Sequence, residues 1–277
     1  MPLATGYILQ DAYKRHYAVP AFSVHTFDMV DAVLAQAEQH AMPVLLMVGQ
    51  RAIRNGQMQT LVDYIRDVAP SFTIPIGIHL DHCRDNNQVI QAIRAGMTSF
   101  MMDASAHPFD VNVAQTRAAV KACHAVAMPV EGELGAIGGV EDDISVRDED
   151  AEVTSVEAAV RFVEEAGVDS LAVAIGSAHG MYKREPKLDL QRLAEIYANT
   201  EIPLVLHGGS GIPRHQIAAA LQLGIAKINF DTELRLGLMN GLKDAAEKFP
   251  DDPFHAMEHA KAALREVVRE KIAFCRP

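Results

Sequence analysis

Short apolar runs rich in Val, Ile and Leu recur along the chain, and each is followed by a longer segment whose apolar residues have helical spacing. The runs are residues 19–24, 43–48, 76–81, 99–104, 129–134, 170–175, 203–208 and 226–230. Eight strands alternating with helices in 277 residues predict a single (β/α)8 TIM barrel spanning 1–277, since about 250 residues is typical of that fold. A doubly wound open sheet is the alternative that the alternation also permits. Residues 251–277 predict a C-terminal helical extension, packed outside the barrel or on a neighbouring subunit.

The placement of polar residues favours the barrel over the open sheet. The interiors of the predicted strands are apolar, whereas their C-terminal ends carry side chains suited to chemistry. In a barrel these ends converge on the one face where such enzymes carry their active sites. The polar residues at these ends are Asp81, His82, Asp103, Glu133, His179, His207 and Asn229.

Composition excludes several kinds of partner. The net charge is −11, which argues against nucleic acid, and no apolar run approaches the about 18 residues of a membrane span. Three widely spaced cysteines do not resemble a disulfide framework. Residues 1–22 lack a basic start followed by an apolar stretch, so the sequence predicts a cytoplasmic protein.

Three histidines, His82, His179 and His207, follow three different predicted strands. A single histidine at a strand end is more often a surface or hydrogen-bonding residue. Barrel closure, however, would bring all three to one rim, and three imidazoles with an open fourth position are typical of catalytic zinc. We therefore predict a zinc site.

Asp81 directly precedes the first of these histidines, and a carboxylate there can transfer a proton to a substrate oxygen. Capping of the next helix is the alternative role for this residue. The loop 207–211, which contains Gly208, Gly209 and Ser210, and the loop 229–232 follow the last two strands. Loops at these positions commonly bind phosphate through backbone N–H groups, so we expect a phosphate site there.

The segment 135–153 (GAIGGVEDDISVRDEDAEV) is long, glycine-rich and acidic. A connection of this length in a barrel is usually either functional or disordered. We interpret it as a mobile loop over the site.

These motifs together resemble those of the class II, zinc-dependent ketose-bisphosphate aldolases of the tagatose- and fructose-bisphosphate type. The resemblance extends from about residue 19 to residue 234, with a weaker trace to the end. The matching stretches are 78–82 (IHLDH), 102–105 (MDAS), 130–135 (VEGELG), 138–143 (GGVEDD), 170–182 (SLAVAIGSAHGMY), 203–211 (PLVLHGGSG) and 227–234 (KINFDTEL).

The resemblance implies an aldehyde-lyase acting on a phosphorylated sugar. The substrate would be a ketose 1,6-bisphosphate of tagatose or fructose type, or a related ketose 1-phosphate. Reversible cleavage would give dihydroxyacetone phosphate and an aldehyde through a zinc-stabilised enediolate. The family also implies a homodimer or homotetramer and a monovalent cation, Na⁺ or K⁺, near the phosphate.

Residue roles follow from the same resemblance. His82, His179 and His207 would bind zinc, and Asp81 would exchange a proton with the C4 hydroxyl. Glu141 in the loop would transfer the proton at carbon. The carboxylates that would hold the metal in an alternative position are Asp103 and Glu133. The residues that would bind dihydroxyacetone phosphate are Gly180, Gly208, Ser210, Asn229, Asp231 and Thr232.

Three positions depart from the family pattern. Ser23 stands where Asn is common, and Gln50 lies in a loop that lacks the usual Ser/Thr/Gly pattern. Phe254 occupies the place of an arginine that binds the phosphate at the aldehyde end, and a phenyl ring cannot donate to phosphate. The sequence therefore predicts either an aldehyde without phosphate or a phosphate bound elsewhere. The arginines available for the latter are Arg51, Arg54, Arg265 and Arg269.

Rival functions remain open at this point. Lys227 on the last strand could form a Schiff base with a ketone, which borohydride would trap. A non-catalytic barrel subunit that accompanies a sugar-bisphosphate aldolase is a second alternative, although such a subunit could lose the histidines that this chain keeps. A zinc hydrolase is a third, and the predicted phosphate loop counts against it.

Overall fold

A computed structural model of the chain describes residues 3–5, 7–135, 137–141, 144–146, 153–182 and 184–277. The strands in chain order are β1 (Val19–Ser23), β2 (Val44–Val48), β3 (Ile76–Cys83), β4 (Ser99–Met102), β5 (Val130–Leu134), β6 (Gly138–Glu141), β7 (Ile144–Val146), β8 (Ser170–Val173), β9 (Ala178–His179), β10 (Leu204–Leu206) and β11 (Ile225–Phe230). The helices are α1 (Tyr7–Arg15), α2 (Phe27–Gln39), α3 (Gln50–Arg54), α4 (Met58–Val68), α5 (Asn86–Ala95), α6 (Phe109–His124), α7 (Val156–Ala166), α8 (Leu190–Thr200), α9 (Arg214–Leu221), α10 (Thr232–Lys248) and α11 (Pro253–Phe274).

Eight parallel strands within these ranges close into a barrel in the order β1, β11, β10, β8, β5, β4, β3 and β2. Val19 of β1 pairs with Lys227 on one side, and Ala21 pairs with Leu45 of β2 on the other. Because the first strand has a neighbour on both sides, the barrel has no open edge. The predicted (β/α)8 barrel is confirmed, and the doubly wound sheet is excluded.

The strands form where the sequence is apolar without alternation. β2, with the sequence VLLMV, is buried at every position, as expected for a parallel strand covered on both faces. One face packs against the surrounding helices and the other fills the barrel. The rigid barrel then fixes the positions of the side chains at its C-terminal end.

Helix α1 covers the N-terminal end of the barrel. Its Ile8, Leu9 and Ala12 form an apolar cluster with inward-facing side chains that include Val19 and Met47. This cluster excludes water from the N-terminal end of the barrel, and the polar residues lie at the C-terminal end.

A small second sheet lies beyond the C-terminal ends of the barrel strands. β6 pairs antiparallel with β7 and parallel with β9, and Gly139 lies opposite His179. The predicted loop 135–153 thus contains two short strands. Residues 136, 142–143 and 147–152 of that loop lie outside the described residues.

The C-terminal extension contains α11, which packs against α10 and α2. The helix begins at Asp252, whose side chain accepts hydrogen bonds from the backbone N–H groups of Phe254 and His255. At Gly241 of α10 a Cβ would lie 2.8 Å from Cα of Ala260, so α10 and α11 approach closely there. None of the helices in the described ranges has an apolar stretch long enough to span a lipid bilayer.

Candidate active site

The end of β3 directs two adjacent side chains into the mouth of the barrel. Neighbouring residues of a regular strand point to opposite faces. Here the pairing of β3 with β4 shifts between Leu80 and Cys83, and His82 has a φ of 50°. Asp81 can therefore approach Asn229 across the barrel, with Oδ1 3.4 Å from Nδ2, while His82 also faces inward. A positive φ like that of His82 costs about 1–3 kcal/mol in a residue other than glycine.

The structure brings the three predicted histidines together. The ring centroid of His82 lies 4.8 Å from that of His207 and 5.2 Å from that of His179, and the last two are 5.7 Å apart. One nitrogen from each ring lies within 4.8 Å of the others, and all three residues are buried. His179 comes from β9, beyond the end of its barrel strand β8, rather than from the strand itself.

The donor set fits a metal ion. Nε2 of His207 lies 2.9 Å from Oε1 of Glu131, whereas Nδ1 makes no hydrogen bond within the part of the chain that the structure describes. Oε2 of Glu133 lies 3.6 Å from Nδ1. A buried ring nitrogen without a hydrogen bond is costly, and a metal ion would accept its lone pair.

Asp103 and Glu133 lie on the other side of His82. Oδ2 of Asp103 is 3.0 Å from Nδ1 of His82, and the hydroxyl of Ser105 lies within hydrogen-bond distance of both carboxyl groups, 2.7 Å from Asp103 and 3.1 Å from Glu133. His82, Asp103 and Glu133 form a second group whose ligand atoms are within 4.8 Å of one another. The two predicted alternative ligands therefore lie next to the histidine cluster.

The surroundings shift the pKa values of the two carboxyl groups in opposite directions. Burial and the neighbouring Asp103 raise the pKa of Glu133 well above its usual value. Burial also acts to raise the pKa of Asp103, but hydrogen bonds from His82 and Ser105 outweigh it and hold that pKa below its usual range. The lowered pKa keeps Asp103 negatively charged beside His82 at neutral pH.

Lys227 of β11 and Glu131 of β5 form an ion pair inside the barrel, which we call the inner pair. Nζ lies 2.8 Å from Oε2, and the two side chains are 0% and 2% exposed. The same ammonium group is 3.4 Å from Nε2 of His79, whose Nδ1 lies 2.6 Å from the hydroxyl of Ser99. The second oxygen of Glu131 bonds His207, so the inner pair supports a candidate metal ligand.

The inner pair also determines which nitrogen of His207 is available. Burial acts to raise the pKa of Glu131, but the Lys227 ammonium and the His207 hydrogen bond hold it below the usual range. Burial lowers the pKa of His207 to about 4, so the ring is neutral at neutral pH. A neutral ring that donates from Nε2 to Glu131 keeps its lone pair on Nδ1, as metal coordination requires.

Sequence reasoning missed the role of Glu131. The signal was its position two residues before Glu133 on one strand, which places both side chains on the inner face. Lys227 and Asn229 are related in the same way on β11. The two-residue spacing along a strand predicts which face a side chain lies on, but it does not predict which residue that side chain contacts across the barrel.

The predicted phosphate loop is held by several contacts. The hydroxyl of Tyr182 donates to the carbonyl of Gly208 at 2.9 Å, and the N–H of Gly209 donates to the carbonyl of Asn229 at 2.9 Å. Gly208 has a φ of 65°, and a Cβ there would lie 2.2 Å from the carbonyl oxygen of Ala178. Gly180 has a φ of 91° on the neighbouring segment. The structure thus brings this loop, which follows His207 in sequence, beside the segment that carries His179.

Asp231, also predicted to bind substrate, contacts a histidine and an arginine. Oδ1 lies 3.0 Å from Nε2 of His25, and Oδ2 lies 2.7 Å from Nη2 of Arg235. Thr232 next to it begins α10, and the N–H of Glu233 in the first turn lies 3.4 Å from the hydroxyl of Ser210 in the loop. His25 gave no signal in the sequence, because its partner lies at the far end of the chain.

The positions that depart from the family pattern differ in their environments. Gln50 is 8% exposed and exchanges hydrogen bonds with Gln88, while its Nε2 lies 3.4 Å from the backbone oxygen of Asp81. Ser23 is buried at the end of β1. Phe254 is 84% exposed at the start of α11. Polar groups therefore line the side of the mouth near β1 and β2, and Phe254 points to solvent.

The remaining predicted residues lie near the mouth or on α11. Glu141 ends β6, which pairs with the strand of His179, and its side chain is outside what the structure describes. Arg265 and Arg269 pair with Glu258 and Glu266 on their own helix.

The fold and the site define a class of protein. The family model for class II fructose-bisphosphate aldolase matches residues 4–277, and the chain belongs to this family. It is therefore an aldolase of the lyase class.

Individual relatives agree with that assignment. The sulfofructosephosphate aldolase of Alkalicoccus urumqiensis is 42% identical over 271 residues, which is 96% of this chain and 93% of that protein. The crystal structure of the YdjI aldolase from Escherichia coli K12 is 36% identical with a TM-score of 0.85, covering 97% of this chain and 95% of that one. The fructose-bisphosphate aldolase of Campylobacter jejuni, 19% identical with a TM-score of 0.82 over 99% and 95% of the two chains, has the same fold.

Proposed function

We propose that this aldolase is zinc-dependent and reversibly cleaves a ketose 1-phosphate into dihydroxyacetone phosphate and an aldehyde that carries no phosphate. The observation that carries the proposal is the cluster of His82, His179 and His207, whose ligand nitrogens lie within 4.8 Å of one another at the barrel mouth. The family membership supplies the reaction class. Ser23, Gln50 and Phe254, which depart from the family pattern at the aldehyde end, are the reason for proposing an aldehyde without phosphate.

The three histidines would hold the metal. Zinc bound there supplies a Lewis acid that stabilises negative charge on the substrate carbonyl oxygen. Glu131 orients His207, and Asp103 orients His82 through its Nδ1. Helix α1 and the apolar barrel interior exclude water from below.

Two carboxylates would move the protons. Asp81 is 4% exposed, adjacent to His82 and within reach of Asn229, and it would accept the C4 hydroxyl proton during cleavage and return it during condensation. Glu141 would transfer the proton at the carbon next to the carbonyl. Pairing of its strand β6 with the strand of His179 supports this role.

The C1 phosphate would bind between the loops 208–211 and 229–232. The N–H groups of Gly209 and Gly211 already donate to Asn229 and Glu233, so we propose the other backbone N–H groups of these loops as donors, with a favourable dipole from the first turn of α10. A chain with net charge −11 needs such local donors to hold an anion.

At the aldehyde end, Ser23 and Gln50 near β1 and β2 carry neutral side chains, and Arg51 and Arg54 on α3 are the basic residues that follow β2. Phe254 cannot supply donors in place of arginine. The 42% identical relative is named for a sulfo-substituted fructose phosphate. We therefore propose an aldehyde terminus other than phosphate, either a sulfonate, by analogy with that relative, or an uncharged group.

The Schiff-base alternative is disfavoured by the surroundings of Lys227. Its ammonium lies 2.8 Å from Glu131, and a lysine nucleophile must be neutral. The companion-subunit alternative is disfavoured because Asp81 and all three histidines are present and clustered.

The test is a panel of aldehydes supplied with dihydroxyacetone phosphate to zinc-loaded protein. The panel contains glyceraldehyde 3-phosphate, free glyceraldehyde and a three-carbon aldehyde with a terminal sulfonate. We expect kcat/KM to be highest for one of the two without phosphate, and we expect chelation to abolish turnover until zinc is restored. A preference for glyceraldehyde 3-phosphate by orders of magnitude would refute the substrate proposal. Full activity after verified zinc removal would refute the metal proposal.

A further inference from the structure

A second buried lysine lies at the far end of the chain, beside the phosphate loop. Nζ of Lys271 on α11 is 2.8 Å from Oε1 of Glu233 on α10, and we call these residues the outer pair. Lys271 is 2% exposed, and lysine is rarely buried to this extent unless it is paired. The ammonium also lies 3.2 Å from Glu270 and 4.7 Å from the ring centroid of Phe274.

Glu233 connects this lysine to the loop. Its Oε2 accepts a hydrogen bond from the backbone N–H of Gly211 at 3.1 Å, and its own N–H lies 3.4 Å from the hydroxyl of Ser210. Gly211 has a φ of 81°, a conformation that needs support from its surroundings. The outer pair thus holds two consecutive residues of the loop.

A carboxylate at this place creates an electrostatic difficulty. The loop is proposed to bind a phosphate, and an uncompensated carboxylate beside it would repel that anion. The side chain of Glu233 is 22% exposed, so water screens its charge only in part. Lys271 compensates the charge and leaves the hydrogen bond to Gly211 intact.

We propose that Glu233 and Lys271 are positioning residues of the phosphate subsite, with Lys271 balancing the carboxylate that holds the loop. The C-terminal helix α11 is then part of the substrate site, although none of its residues need touch substrate. This inference rests on the proposed function, because it requires a phosphate at loop 208–211.

The first measurement uses Lys271→Met in the zinc-loaded enzyme. The dissociation constants for dihydroxyacetone phosphate and inorganic phosphate should rise about tenfold, as expected when one member of a coupled charge pair is removed. KM for dihydroxyacetone phosphate, from exchange of its carbon-bound proton with deuterium oxide, should rise in parallel. The kcat of exchange and the zinc dissociation constant should change less than about threefold, since neither the histidines nor Asp81 is touched.

The double variant Glu233→Gln/Lys271→Met separates charge balance from simple structural support. The glutamine oxygen can still accept from Gly211 and carries no charge, so phosphate binding should return to within about threefold of the wild type. Lys261→Met is the matched control, because Lys261 lies on the same helix and pairs with Glu258 and Asp28 away from the loop. It should bind as the wild type does.

Should Lys271→Met fail to fold, Glu233→Gln and Glu233→Ala carry the test. The glutamine variant should bind phosphate at least as well as the wild type, and the alanine variant should bind it more weakly. Equal binding by these two variants, or wild-type binding by Lys271→Met, overturns the inference. If wild-type enzyme neither binds nor exchanges dihydroxyacetone phosphate, the proposed function fails and the inference falls with it.

Discussion

The inner and outer pairs are both lysine–glutamate ion pairs, and they differ in how deeply they are buried. In each, a lysine ammonium lies 2.8 Å from a glutamate oxygen. The second oxygen of each glutamate then holds a group of the candidate site, His207 for Glu131 and the N–H of Gly211 for Glu233. The inner pair joins two barrel strands, whereas the outer pair joins two helices outside the barrel.

The difference between them lies in exposure and in what is held. Glu131 is 2% exposed and fixes a side chain, whereas Glu233 is 22% exposed and fixes a backbone loop. Removing one member of a buried ion pair leaves the other charge unpaired and without solvent, which lowers the stability of the folded protein. The loss is smaller when the remaining charge is partly exposed to water. We therefore expect the inner pair to govern stability and metal affinity, and the outer pair to govern phosphate affinity.

The largest expected effect comes from the inner pair. Lys227→Met should lower the free energy of unfolding by about 3–5 kcal/mol, because it leaves Glu131 charged and buried. Lys227→Met/Glu131→Gln should recover most of that loss, as measured by chemical denaturation. The double variant should still bind zinc about 10- to 100-fold more weakly than the wild type, since the anionic partner of His207 is gone.

The zinc measurement, by competition with a chelator, separates metal support from general stability. Lys271→Met serves as the comparison, because it breaks a buried lysine pair of the same length away from the histidines. It should leave zinc affinity unchanged. Equal zinc affinity in the double variant and the wild type would contradict the role assigned to Glu131.

The barrel and most of the histidine cluster could be predicted from the sequence. A parallel strand that is buried on both faces has a continuous apolar sequence, as in β2, and can be recognised from it. Closure of the barrel then brings the C-terminal ends of all its strands to one face. Asp81 and His82 are adjacent in the sequence and both face the barrel mouth, although the backbone conformation at His82 that permits this was not visible in the sequence.

The contacts between distant elements could not be predicted. Pairing of Lys227 with Glu131 depends on which strands face each other across the barrel, and parity gives only the face. Contact between Lys271 and Glu233 depends on how α11 packs against α10, and a helical pattern does not specify its neighbour. The outer pair was therefore absent from the predicted site.

Acid should affect the inner region through its buried imidazoles. Burial lowers the pKa of His207 to about 4 and that of His79 well below its usual value. Between about pH 6.5 and pH 4 the unfolded chain binds protons that the folded metal-free protein does not. Stability should therefore fall as pH falls, by about 2 kcal/mol between pH 6.5 and pH 5 for His207 alone.

Denaturation of metal-free protein at those two pH values gives the measurement. His124→Gln is the control, because His124 is exposed on α6 and lies 2.8 Å from Asp169, outside the barrel. Its pH dependence should match that of the wild type. A metal-free protein of equal stability at both pH values would show that the buried rings are not the cause.

The smallest effect tests whether the two regions are independent. The hydroxyl of Tyr182 accepts from the N–H of Ala178 at 2.8 Å and donates to the carbonyl of Gly208 at 2.9 Å, so it joins the strand of His179 to the phosphate loop. Burial raises its pKa to about 12, which keeps the donor proton in place. Tyr182→Phe should remove a hydrogen bond worth about 1 kcal/mol, and kcat/KM should therefore fall roughly fivefold.

The distribution of that loss is the informative result. If Tyr182 links the regions, zinc affinity and KM for dihydroxyacetone phosphate should both worsen by a few fold. Tyr17→Phe removes a hydroxyl bonded to Asp11, away from the mouth, and should change neither. A loss in phosphate binding alone would mean that the loop and the histidine cluster are supported separately, each by its own lysine–glutamate pair.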